Sequence, residues 1–240
     1  MKAIILCAGM GSRTGLTYPK CLFKLKNKLS LLEDNINKIK KLGFKNSDII
    51  LATGFKENLI KKETKDLYDY VKNKKYKSTN MIYSFFEVVK KYGAQTYVIF
   101  YADITFDLIS LRSLINSKKD IVTLIDSDWL KKWKIKDDYL NDLEELKISN
   151  SKITSLGKKV EKIKGIDGRF VGITKFSRSM IKRLITEGIF RKQIKKNKKL
   201  DFTNFLMKLI KIKIDIYAIK KKIEWFEFDN LNDFKNFKNF

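Results

Sequence analysis

Apolar residues fall along this chain in two rhythms. Lys2 to Cys7, Asp48 to Ala52, Thr96 to Tyr101 and Asp120 to Ile125 are short, almost unbroken apolar runs, the pattern of strands buried on both faces. Between them apolar positions return every three or four residues. Leu31, Leu32, Ile36, Ile39 and Leu42 share one helix face, opened by Ser30 as a cap and stopped by Gly43. A helical segment follows Thr53-Gly54, and Met81–Lys91 and Leu108–Asn116 read as further helices. Strands alternating with helices at this spacing predict an α/β fold: a Rossmann-like, mostly parallel sheet flanked by helices.

After Asp126 the rhythm changes. Leu143–Ile148, Ile153–Leu156 and Arg169–Thr174 read as shorter strands of a mixed, more antiparallel region. Phe176–Glu187 reads as a helix with Gly188 just past its end, Lys192–Lys199 as a basic loop, and Phe202–Ile210 as a helix. Lys213–Ala218 and Glu224–Phe228 read as strands, and Leu231 opens a closing helix. With no internal repeat and no Pro/Gly/Ser-rich linker, the expectation is a single domain over residues 1–240.

Composition narrows the chemistry. The chain has no histidine, which excludes a Ser-His-Asp triad, a histidine base and histidine-ligated metals. Two cysteines cannot build a four-ligand zinc site or a disulfide scaffold, and together with the lack of a signal-like segment they suggest a cytoplasmic protein. No apolar stretch approaches the roughly 20 residues that span a bilayer, so no membrane partner is expected. The formal net charge is +25, from 52 basic and 27 acidic residues, but only 6 of the 52 are arginine. Dispersed lysines do not make a nucleic-acid footprint, so no specific nucleic acid is expected, although the field steers phosphorylated ligands toward any cleft. A non-catalytic nucleic-acid-binding module is the rival that this charge supports.

The densest candidate chemistry is Leu6-Cys7-Ala8-Gly9-Met10-Gly11-Ser12-Arg13 followed by Tyr18-Pro19-Lys20. A buried strand runs into a turn of small residues whose backbone N–H groups can cradle phosphates. Gly9 and Gly11 allow close backbone approach, and Arg13 and Lys20 add cationic donors. The segment matches neither G-x-x-x-x-G-K-[ST] nor G-x-G-x-x-G, because Thr14 stands where the last glycine is required. The chain's one proline and one of its few arginines both fall here. Asp103 directly follows a buried strand and Asp229 a short aromatic one, the place where open sheets bind ligands. Two such carboxylates can hold one Mg²⁺ that also takes phosphate oxygens, while Asp107 is the better cap for the helix at Leu108.

The segment resembles the signature of the sugar-nucleotidyltransferase superfamily, and its variant is most similar to the phosphocholine, phosphonate and phosphoglutamine cytidylyltransferase branch. Ser78-Thr79-Asn80-Met81-Ile82-Tyr83-Ser84, Tyr101-Ala102-Asp103 and Trp225 to Asp233 are similar to that branch's later motifs, in the same order. The resemblance implies a nucleotidyltransferase fold, with residues 1–125 as the nucleotide-binding half, 126–210 as the acceptor-binding subregion and 211–240 as closing elements. It implies CTP contacts at Leu6, Ala8, Gly9, Gly11, Ser12, Arg13, Lys20, Thr79, Asn80, Ser84 and Ala102, with Arg13 and Lys20 catalytic and Asp103 and Asp229 on Mg²⁺. For the acceptor it implies Trp129, Trp133, Glu144, Lys158 and Lys159. Trp129 and Trp133 at i, i+4 fit core packing as well as a pocket wall. The implied reaction is CTP-dependent transfer to a small phosphorylated acceptor, releasing pyrophosphate and serving surface polysaccharide or capsule modification, with oligomeric state left open. An acceptor phosphate is largely a dianion at pH 7, so the missing histidine base is no obstacle. A sugar 1-phosphate enzyme using another triphosphate is the nearer alternative, weakened because Gly157-Lys158-Lys159-Val160 stands where such relatives carry an E-K-P-type motif.

Overall fold

The computed structural model describes residues 1–11, 15–134, 136 and 139–237. β1 (Lys2–Cys7), β2 (Ile49–Thr53), β3 (Asp69–Lys72) and β4 (Tyr97–Tyr101) run parallel. α1 (Leu31–Lys40), α2 (Glu57–Glu63) and α3 (Met81–Tyr92) lie between them in sequence. Next come β5 (Ile104–Phe106), α4 (Leu108–Asn116), β6 (Ile121–Asp126), α5 (Trp129–Trp133), β7 (Glu144–Ser149), β8 (Lys152–Lys159) and β9 (Arg169–Phe176). α6 (Arg178–Thr186), α7 (Ile189–Lys196), α8 (Phe202–Lys211), β10 (Tyr217–Lys221), β11 (Trp225–Glu227) and α9 (Leu231–Asn236) complete the chain. The large sheet has the order β3-β2-β1-β4-β9-β6-β10-β8-β7.

The strands alternate between two cores. Ile4 and Leu6 face one side of β1, with Phe85, Phe176 and Phe202, while Ala3, Ile5 and Cys7 face the other, with Leu32, Phe100 and Leu111. Apolar runs such as Ile49–Ala52 are therefore buried on both faces, which is why they show no alternation in sequence. Local signals set the helix ends. Ser30 accepts from Glu33 N–H at 3.2 Å, and Glu33 closes the capping box that opens α1. Asp107 caps α4 by accepting from Ser110 N–H at 2.7 Å. Such a cap contributes about 1 kcal/mol.

Several expectations need correction. The stretch Lys192–Lys199 is no loop through its first half, because α7 occupies Ile189–Lys196. Its lysines form the solvent face of a helix that buries Ile189 and Phe190 against Phe85 and Phe205. Gly188 (φ 65°) both closes α6 and opens α7, a left-handed conformation that glycine adopts without strain. Phe176 ends β9 and does not start α6, because Ser177 is the cap of that helix. The strand expected at Lys213–Ala218 forms later, as β10. β11 leaves the large sheet and pairs antiparallel with β5, two short strands of which β5 has no separate signal in the sequence.

One reversal shapes the rest of the molecule. β9 runs antiparallel between β4 and β6. Its first residues, Arg169 to Gly172, therefore lie beside the carboxyl ends of β4 and β6, where Asp126 pairs with Arg169.

Candidate active site

β1 has β2 on one side and β4 on the other, so the carboxyl ends of β1 and β4 flank a topological switch point, the usual crevice of an open α/β sheet. A cleft of about 140 Å³ opens there. Leu6, Ala8 and Gly9 come from the end of β1, Tyr101, Ala102 and Asp103 from the end of β4, and Thr79, Asn80, Met81 and Ser84 from the start of α3. Gly54 lets the walls close up: a Cβ there would sit 2.7 Å from Tyr76 Cβ and 2.8 Å from the Ala8 carbonyl. A Cβ at Gly9 would meet nothing within 4 Å, and Gly11 takes φ 60°. Ser12 and Arg13 lie outside the described residues.

Two lining residues escape a sequence reading, Asn73 and Tyr76. Both sit inside a run in which Lys72, Lys74, Lys75 and Lys77 are all exposed. Asn73 is buried, and its amide nitrogen donates to Thr79 Oγ1 at 2.9 Å and to Ser84 Oγ at 3.0 Å. Asn80 sits at the N-cap of α3 and accepts from Met81 N–H at 2.8 Å.

The acidic residues gather at the floor. Lys20 Nζ lies 2.8 Å from Asp103 Oδ2. Burial alone would lower the Lys20 ammonium, but Asp103, followed by Asp229 and Glu227, outweighs it and holds the group above its ordinary value. Phe228 N–H donates to the Asp103 carbonyl at 2.9 Å, which ties the segment carrying Asp229 to the end of β4. Asp229 pairs with Lys136 at 2.6 Å, and Asp233 accepts from both Asp229 N–H and Asn230 N–H, so Asp233 and Asn230 take the capping role at α9. Two aspartates with hard oxygen donors suit Mg²⁺. Among the described residues no group of three or more His, Cys, Asp or Glu is placed to hold a metal.

A second pocket adjoins the first and shares Met81 and Tyr101 with it. Its polar wall is Asp142, Glu144, Arg169, Asp201, Thr203, Glu227 and Asp229. Gly172 (φ 81°) brings β9 onto Tyr101, where a Cβ would come within 2.8 Å of the ring. Arg169 donates to the Asp142 carbonyl at 2.7 Å and its carboxylate at 2.9 Å, and its guanidinium lies 4.0 Å from the centroid of Trp133. Burial first, then Asp229, pushes the Glu227 carboxyl up to about 8 against the pull of Lys136. Burial likewise raises Glu144, with Arg169 opposing.

The structure brings together Leu6, Ala8, Gly9, Lys20, Thr79, Asn80, Ser84, Ala102, Asp103, Glu144 and Asp229. Trp129 and Trp133 line neither pocket: both belong to the core, where Trp133 stacks on Trp225 at 5.8 Å. Of the two readings open for this pair, packing is the one the structure gives, and Trp133 meets the pocket wall through Arg169, which rests on its ring beside Lys136. Lys158 and Lys159 are exposed at the end of β8 and line a separate groove with Lys147, Lys162 and Lys164. Asp201 looks in the sequence like a helix cap, which it also is, accepting from Asn204 N–H at 2.8 Å. Among the described residues no helix is long and apolar enough to cross a membrane.

Comparison with known proteins agrees with this geometry. The chain is 32% identical over a 250-residue alignment to a CTP:phosphoglutamine cytidylyltransferase of Campylobacter jejuni subsp. jejuni serotype O:2, covering 97% of each protein. An inositol-1-phosphate CTP transferase from T. maritima shares its fold with a TM-score of 0.76 at 18% identity, covering 98% of this chain and 94% of that one. A CTP:phosphocholine cytidylyltransferase from Streptococcus pneumoniae does so with a TM-score of 0.65 at 20% identity, covering 98% and 96%. The model of the MobA-like NTP transferase domain matches residues 3–161, about two thirds of the chain, and the chain belongs to that family of nucleotidyltransferases.

Proposed function

We propose that this enzyme transfers the cytidylyl group of CTP to a small phosphorylated acceptor that carries an ammonium group. A phosphate oxygen of the acceptor attacks the α-phosphorus of CTP. The bond to the bridging oxygen breaks, and pyrophosphate leaves with both electrons. No proton has to be removed from a dianionic phosphate, which fits a chain without histidine.

The observation that carries this reading is the union of the two pockets. The cleft at β1, β4 and α3, whose polar wall is uncharged apart from Asp103, suits a base and ribose, and it adjoins, at Met81 and Tyr101, a pocket walled by acidic side chains. Asp103 belongs to the first and Asp229 to the second, so the pair stands where donor and acceptor phosphates would meet. Asp103 and Asp229 would hold Mg²⁺, which supplies charge neutralisation on the α-phosphate and the leaving pyrophosphate when bound. Lys20, already at Asp103 and kept protonated by its neighbours, can turn to the phosphates as these arrive. Glu144 and Asp201 face the acceptor, and their carboxylates attract an ammonium, a charge that a sugar 1-phosphate does not offer, while Glu227, pushed up to about 8, keeps its proton at neutral pH and serves as a hydrogen-bonding carboxyl. Phosphoglutamine, named for the Campylobacter relative, carries such an ammonium. In the branch that the sequence resembles, the CDP-activated product serves surface polysaccharide modification, and we place this product there.

A pyrophosphate-release screen tests the proposal. CTP, UTP, GTP and dTTP are each offered with phosphoglutamine, phosphocholine and glucose 1-phosphate. Turnover confined to CTP with an ammonium-bearing acceptor is the expected result. Faster turnover of glucose 1-phosphate with another triphosphate would overturn it.

A further inference from the structure

The turn after β3 holds a hydrogen-bond relay that phosphoryl chemistry does not use. Asn73 is 1% exposed. Its side-chain oxygen accepts from Lys75 N–H at 2.9 Å. A backbone N–H can only donate, so this bond fixes which end of the amide points which way. The amide nitrogen must face the other side, where it donates to Thr79 Oγ1 and Ser84 Oγ. Thr79 passes its own proton to the Lys75 carbonyl at 2.8 Å. Ser84 differs: Asn73 occupies one of its lone pairs, and no acceptor for its proton is found among the described residues. That hydroxyl stands in the wall of the nucleotide cleft.

We propose that Asn73 is the positioning residue for base choice, holding Ser84 as a hydrogen-bond donor to N3 of the pyrimidine. The inference rests on the CTP reading of the site. Cytosine and uracil differ at two ring positions. N3 accepts in cytosine and carries a proton in uracil, while position 4 bears an amino donor in cytosine and a carbonyl acceptor in uracil. A hydroxyl donor therefore favours cytosine at N3 and uracil at position 4, so selection of CTP puts Ser84 at N3. With uracil the hydroxyl has to turn its one remaining lone pair to the N3–H, which leaves its proton with no acceptor among the described residues, and a buried donor without an acceptor carries its desolvation cost. The α3 helix keeps the hydroxyl in place, because Ser84 lies on its first turn and is itself buried.

Asn73→Asp tests this directly. The new carboxylate still accepts from Lys75 N–H but no longer donates. Ser84 then gives its proton to the carboxylate and turns lone pairs to the cleft, which suits the N3–H of uracil. The added charge acts on both triphosphates alike and cancels in their ratio. The ratio of kcat/KM for CTP over UTP should fall about ten-fold or more, the scale of one hydrogen bond exchanged for a mismatch, while the acceptor KM stays put. Ser84→Ala, which leaves Asn73 alone, should flatten the same ratio, and it carries the test if thermal melting shows that Asn73→Asp does not fold. A wild-type enzyme with no preference for CTP would sink both the CTP reading and this inference. A wild type that prefers CTP, with variants whose ratio stays within about two-fold of it, would overturn the inference alone.

Discussion

The cleft at β1 and β4 and the pocket beside β9 share Met81 and Tyr101, yet their walls are chemically unlike. The first has one carboxylate, Asp103, among the uncharged polar side chains Asn73, Thr79, Asn80 and Ser84. The second sets Asp142, Glu144, Asp201 and Asp229 against a single Arg169, with Glu227 beside them held protonated at neutral pH. In a chain of formal net charge +25, that pocket is a local inversion of sign. The overall charge is therefore a poor guide to the ligand. It resides largely in exposed lysines, whose field is screened within about 10 Å at ordinary ionic strength, whereas buried carboxylates act on whatever enters the pocket. The floor between the pockets is where the two signs meet, through Lys20 at Asp103 and Lys136 at Asp229.

Breaking that floor should have the largest effect. Lys20→Ala removes the one described ammonium paired with Asp103, and we expect kcat to fall by about 10²–10³ with the fold intact, the usual cost of one lost transition-state contact. Steady-state kinetics beside a thermal melt checks this, and a variant keeping more than half of its kcat would show Lys20 to be a structural ion-pair partner only. Asp229→Asn comes next. Calorimetric titration of CTP with and without Mg²⁺ should show that the metal's enhancement of CTP binding, present in wild type, is lost in the variant.

Much of the first region was legible in the chain and much of the second was not, for a physical reason. β1, α1 and α4 announce themselves through local patterns: an apolar run, a capping box at Ser30 and Glu33, a cap at Asp107. Asp103 and the Leu6–Gly9 turn are strand-end features, and strand ends are visible wherever strands are. The second pocket is assembled from β7, β9, α8 and β11, which meet only through long-range pairing, with β9 inserted antiparallel between β4 and β6. Asp201 serves as a cap and a pocket wall at once, and only the first role has a sequence signal. Lysine bias did further damage. It makes the solvent face of α7 look like a loop, and it hid Asn73 and Tyr76 between exposed lysines. The tryptophan pair Trp129 and Trp133 shows the converse limit, because an aromatic at helical spacing fits core and pocket equally well until the neighbours are known.

A smaller effect sharpens the electrostatic contrast. The Glu227 carboxyl is raised from its ordinary 4.5 to about 8, so in the folded chain it holds its proton more tightly than in the unfolded chain. Stability should therefore fall as pH rises through that window, because the unfolded state releases the proton first. Glu227→Gln should remove this dependence, visible as a Tm difference between about pH 5 and pH 8 that shrinks by about 2–4 °C relative to wild type. An unchanged pH slope would mean that Glu227 is solvated and contributes nothing to the acidity of the pocket.

The division of labour between the two pockets is the central claim, and a matrix of Michaelis constants tests it most directly. Thr79→Ala alters the first wall and Glu144→Gln the second, each by one polar group. KM is measured for CTP and for phosphoglutamine in wild type and both variants. The account predicts that Thr79→Ala raises KM for CTP alone and that Glu144→Gln raises KM for the acceptor alone, each by about ten-fold. If Glu144→Gln instead raises KM for CTP and leaves that for the acceptor unchanged, the carboxylate pocket does not hold the acceptor and the account is contradicted.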